Sequence, residues 1–192
     1  MTTYQFFTTV WTWNSIVLIL SALALIGYFL AFGRRGKPLY IAGAVAVFLL
    51  AFIPPFSALA NGYLFSAHMV QHILLVLIVP ALFLLSLPQS FSLRSPLAYL
   101  GHPLVGWIAG VSAMWLWHAP ALCNAAATSG TVSAIQTTSL LLMGSMFWWQ
   151  VLAPCEGQRL SPPAGILYLF TACTACSAVS YTHLTLPTIC SV

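Results

Sequence analysis

Between Ser66 and Pro88 the chain reads SAHMVQHILLVLIVPALFLLSLP, with no aspartate, glutamate, lysine or arginine. In a stretch this apolar, backbone amides and carbonyls find partners only within the segment, so it must be helical. Runs of about 18 or more apolar residues are long enough to cross a bilayer. The pattern recurs. Apolar spans read at about Trp13–Phe32, Leu39–Ala58, Ala67–Leu87, Leu104–His118, Ala134–Leu152 and Ala164–Val179. Pro54, Pro55 and Pro80 interrupt the second and third spans, so neighbouring helices must satisfy the backbone groups they free.

Composition agrees with the pattern. Of 192 residues, 61% are hydrophobic and 3% charged, against roughly a quarter charged in soluble domains. The expected fold is an all-α, polytopic transmembrane bundle of about six helices within residues 1–179. Trp11, Trp13, Tyr40, Trp148 and Trp149 stand near span ends, as an interfacial aromatic belt requires. The net charge of +4 comes from five basic residues in short loops and is no nucleic-acid patch.

Those five residues also orient the chain. Arg34, Arg35 and Lys37 follow the first span, Arg94 the third and Arg159 the fifth. The segments after spans two and four, NGYLFS and APALCNAAATSGTVS, are read as uncharged loops. Positively charged loops face the cytoplasm, which puts the N-terminus outside in a multi-pass plasma-membrane protein. No basic residue precedes the first apolar run, so that run reads as a retained helix and not as a cleaved signal.

With this orientation His68 and His72 fall near the outer end of span three, and His118 near the outer end of span four. Positions i and i+4 share a helical face, so the first two imidazoles can address one ligand. Imidazole suits copper, zinc, iron and nickel, and a thioether from Met114 or Met69 adds preference for cuprous ion. The single acid, Glu156, is assigned to the cytoplasmic side, which argues against a calcium or magnesium site. Histidines near helix ends also serve as hydrogen-bonding residues across a bundle, and that reading stands beside the ligand reading. His102 is read as a solvated or capping loop residue. Gln71 and Gln136 are candidates either to orient a histidine or to bridge helices. Cys173 and Cys176 share a face of span six, where tight packing is the simpler reading and a soft-metal or redox pair the alternative. Five cysteines without an even framework do not form a disulfide scaffold. Paired carboxylates, phosphate-cradling glycine loops and nucleophile–base sets are missing from the sequence, so no enzyme is expected.

The segments HMVQHILLVLIVPALFLL, WLWHAPALCNAA, GSMFWWQVLAP and RLSPPAGILYLF together resemble the multi-spanning CtaG family of bacterial cytochrome c oxidase assembly factors, over about Tyr63 to Val179. The resemblance implies a plasma-membrane protein that acts with haem–copper oxidase subunits and supports copper insertion, with metal ligands at His68, His72 and His118. It also implies seven helices. In one place the sequence departs from the family pattern. Where relatives carry histidines at the start of the fifth span, as in HALQH, this chain reads SAIQT, with Ser133 and Thr137 in those positions. The site is then three-coordinate, or recruits Met114 or a thiol, or has lost metal binding. A metal-free scaffold, a haem protein and a copper importer are the other readings. The last stretch, residues 180–192, carries SYTHLTLPTICSV and reads as a non-native tail on an open reading frame cut short, so His183 and Cys190 are assigned no role.

Overall fold

The computed structural model describes residues 15–54, 56–57, 60, 65–93, 99 and 101–185. The expected N-terminal belt residues Trp11 and Trp13, and Arg94, lie outside them. Among the described residues the chain is helical without strands, and it divides after Pro88 into two compact units.

The first unit holds α1 (Ser15–Phe32), α2 (Pro38–Ala51) and α3, which runs from Phe65 to Ser86. Proline at the start of α2 is preorganised for a first helical turn and lacks only an amide that would have no partner there. Gly33 turns the chain between α1 and α2 with φ of 53°, a left-handed conformation that favours glycine. The hairpin is tied to the end of α3 through one acceptor. The Ser86 carbonyl takes the Tyr28 hydroxyl at 2.5 Å and the Lys37 amide at 2.9 Å. Ile41, Ala44, Leu75, Val76, Val79 and Leu84 form the buried core of this unit.

Helix α3 changes pitch midway, with a π-helical turn at Leu74–Ile78 in which the Val79 amide bonds the Leu74 carbonyl. Pro80 follows directly, and in an α-helix its ring would collide with the carbonyl one turn back. The wider turn relieves that collision. By length and composition, Ser66–Ser86 is the described helix sufficient to cross a membrane; Val17–Phe32, Pro38–Ala51 and Pro103–Trp117 are apolar but shorter.

The second unit comprises α4 (Pro103–Trp117), α5 (Pro120–Thr128), α6 (Gly130–Leu152) and α7 (Pro162–Thr185). Helices α4 and α6 approach closely at Gly106 and Gly110. A Cβ on Gly106 would stand 2.7 Å from the Met146 carbonyl, and one on Gly110 2.6 Å from the Phe147 ring. This is the small-xxx-small geometry by which apolar helices gain contact without a hydrophobic driving force. Helix α7 closes the layer: Tyr168 stacks on Phe147 and donates to its carbonyl at 3.1 Å, and Trp107 donates to Thr171 at 3.1 Å.

Three expectations are corrected. Six helices were expected, and a seventh, α5, occupies the segment read as an uncharged loop. Ala119 is extended and Pro120 begins the helix, after which an alanine-rich stretch continues it. At nine residues it is too short to stand out as an apolar span. The last helix does not stop near Val179 but reaches Thr185, because no helix breaker occurs before Pro187. The second span is also shorter than read, ending at Ala51 just ahead of Pro54.

Many outward helix faces are apolar. Leu30 is 83% exposed, Leu39 81%, Ile166 71% and Phe170 68%.

Gly106→Ala is expected to destabilise the second unit by about 1–3 kcal/mol, since the obstructing atom is a backbone carbonyl that cannot rotate aside. Denaturant titration followed by tryptophan fluorescence reads the loss. Ala109→Gly, in the same helix but half-buried, serves as the control for helix propensity alone.

Candidate metal centre

The first portion of α3, Phe65–Ile73, carries His68 and His72 one turn apart. Their ring centroids are 4.2 Å apart at an interplanar angle of 52°. His72 is buried and His68 half-buried, while Val70 and Ile73 take the exposed side of the same turns. The helical repeat alone produces this juxtaposition. His72 also stands directly before the π-helical turn, a feature frequent at functional sites.

Gln71 does not orient a histidine through its amide nitrogen. That nitrogen donates to the Ala51 carbonyl at 2.9 Å, with the side chain buried. The reason lies in the sequence. In a continuing helix the amide of residue 55 would bond Ala51, but residue 55 is proline and has no amide hydrogen. Leu49 and Leu50 are met by Phe52 and Ile53 in tighter turns, and Gln71 supplies the remaining donor.

His118 ends α4 as its C-cap and is buried. Its Nδ1 lies 2.5 Å from the Met114 carbonyl. A carbonyl only accepts, so Nδ1 carries the hydrogen of this bond. Metal-binding histidines are commonly prepared in this way, with one nitrogen tied to a carbonyl and the other presented as donor. Met114 therefore acts on His118 through its backbone, while its half-buried thioether remains a separate donor.

His68 and His72 belong to the first unit and His118 to the second. Within either unit, no three described His, Cys, Asp or Glu side chains gather closely enough to hold a metal ion. The pair on α3 is thus the densest set of imidazole donors within one unit.

Near the start of α6, Thr137 donates its hydroxyl to the Ser133 carbonyl at 3.0 Å. Thr137, at one of the two positions where the family resemblance implies histidine, thus turns its hydroxyl onto its own helix. Gln136 between them is buried, and its amide nitrogen has no hydrogen-bond partner among the described residues. His102 caps α4, its Nδ1 accepting from the Leu104 amide at 3.3 Å, so it serves the helix start. Cys176 packs on the cluster of Val111, Phe147, Tyr168 and Ala172, whereas Cys173 is exposed.

The family model of the cytochrome c oxidase caa3 assembly factors matches residues 33–189. The chain belongs to that family. It is also 23% identical to an uncharacterised protein of Mycobacterium leprae (strain TN), in an alignment that covers 97% of this chain and 35% of that protein. The chain thus spans about a third of the length of the curated relative it matches. No solved structure matches it.

Gln71→Leu removes the donor of a buried carbonyl and is expected to lower stability by about 1–3 kcal/mol. Gln71→Glu keeps shape but not the N–H, and is expected to be at least as damaging. Thermal unfolding followed by circular dichroism compares them; equal stability of all three proteins would show the Ala51 bond to be dispensable.

Proposed function

We propose that this chain is a multi-pass plasma-membrane assembly factor that helps load copper into a haem–copper oxidase, without catalysing a reaction itself. Copper is cargo in this reading. His68 and His72, one turn apart on α3, receive it as a pair. The observation that carries the reading is the α3 imidazole pair, with ring centroids 4.2 Å apart at the head of the described helix long and apolar enough to cross a membrane.

Several features support it. Family membership supports a role in oxidase assembly. The outward apolar faces of α1 and α7 support a lipid environment: in water such surfaces would be large enough to drive association. The hydrogen bond from His118 to Met114 supports a ligand role for Nε2. Two imidazoles make an incomplete ligand set, and an incomplete set suits a protein that must release its metal. Ser133 and Thr137 stand where the family resemblance implies further histidines.

A second reading, a metal-free scaffold for oxidase subunits, draws on the same bond, because donation to the preceding turn also satisfies a histidine at a helix end. Copper titration separates the two. Purified protein is expected to bind about one copper per chain, and His68→Ala/His72→Ala to weaken it by at least about a hundredfold. Equal binding by wild type and the double variant, with helicity unchanged, would leave the scaffold reading. Absorbance in the Soret region of the same samples tests for haem.

A further inference from the structure

The second unit contains a cavity of about 300 Å³ at the start of α4 and the end of α6, open on one side and lined in part by Leu93, Pro103, Trp149, Gln150, Arg159 and Leu160. We propose that it is a phosphate-recognition site that takes the headgroup of an anionic phospholipid.

The polar groups left for a ligand are donors. Gln150 is 1% exposed, and its amide nitrogen has no hydrogen-bond partner among the described residues. Its backbone carbonyl is already taken by the Leu160 amide at 2.9 Å, which fixes the residue where it lines the cavity. That nitrogen lies against Gly106, where a Cβ would stand 3.0 Å from it, so the donors offered into the cavity come from Arg159.

Arg159 stands in the same wall. Its Nε donates to the Ala153 carbonyl at 2.5 Å and one terminal nitrogen lies 3.5 Å from the Pro154 carbonyl. Both partners are neutral, so they orient the guanidinium without cancelling its charge. The planar fork keeps further N–H groups in a geometry that matches phosphate oxygens. The loop that carries it is closed by Gln158, whose amide both accepts from the Leu93 amide at 3.3 Å and donates to the Leu93 carbonyl at 3.1 Å. Glu156, the chain's one acid, lies in this loop but is exposed and does not line the cavity.

The apolar walls distinguish the occupant. Leu93, Pro103, Leu160 and the Trp149 ring offer nothing to a fully hydrated ion but contact the glycerol portion of a lipid. The volume is at the small end for ligand pockets, enough for a headgroup and not for acyl chains. Arg159 also lies on a loop that charge bias assigns to the cytoplasmic face, where anionic lipids are available. This last point rests on the membrane reading above.

Native mass spectrometry of the full chain, released from detergent with phosphatidylglycerol or phosphatidylcholine, tests the site. Wild type is expected to retain phosphatidylglycerol about tenfold better, a preference of the size one charge-assisted contact provides. Arg159→Gln is expected to abolish the preference, and Arg159→Lys, which keeps charge but not the fork, to restore part of it. Inorganic phosphate that displaces phosphatidylglycerol in the millimolar range would support recognition of the phosphate and assign the site to a free anion as well. Gln150→Leu probes the buried donor, with circular dichroism as the check on folding. An unchanged preference in folded Arg159→Gln overturns the proposal, whatever Gln150→Leu does. Copper stoichiometry, measured on the same variants, is expected not to move, so failure here and failure of the copper reading are separate results.

Discussion

A backbone carbonyl that has lost its helical partner is the constraint that organises this protein. The chain has 12 prolines and 3% charged residues, so donors are removed often and replaced seldom. Four described carbonyls outside the regular helical pattern are met by particular side chains or amides. Ala51 is met by Gln71, Ser86 by Tyr28 and Lys37, Ala153 by Arg159, and Leu93 by Gln158. In an apolar environment no water takes over if such a donor is lost, so these few polar residues determine where helices can end.

Close helix approach is the complementary device. Where no donor is needed, the chain removes side chains instead. Gly106 and Gly110 let α4 settle against the Met146 carbonyl and the Phe147 ring, and Phe147 in turn stacks on Tyr168 of α7. Three helices are thereby held by one aromatic and two glycines. The same approach sets the position of Gln150: a Cβ on Gly106 would stand 3.0 Å from its amide nitrogen.

Much of the helical architecture could be read from residue types. Proline at the head of α2, α4, α5 and α7 is a start signal with a mechanical reason, and long charge-free runs admit little besides helix. The His68–His72 pairing follows from helical repeat alone. Other features left a signal that was passed over: Gly106 and Gly110 are four residues apart in GWIAG, and Pro120 announces α5. What could not be read is the acceptor side of the hydrogen bonds. The carbonyls of Ala51, Met114 and Leu93 belong to residues chosen for other reasons, and nothing in their identity marks them as partners of Gln71, His118 and Gln158. For the same reason Met114 was read for its sulfur when its carbonyl is the atom that touches His118.

Helix α4 links the two chemistries of the second unit. Pro103, at one end, lines the cavity; His118, at the other, caps the helix. Fifteen helical residues separate them, a rise of about 22 Å. The distance is rigid, because the glycine seam with α6 falls between the two ends and leaves α4 no room to slide without driving backbone into backbone. Whatever is held at the Pro103 end therefore fixes the height of His118 along the helix axis. On the copper-delivery reading proposed above, an anchor a fixed helix length away is a physical means of setting the depth of His118 in a bilayer.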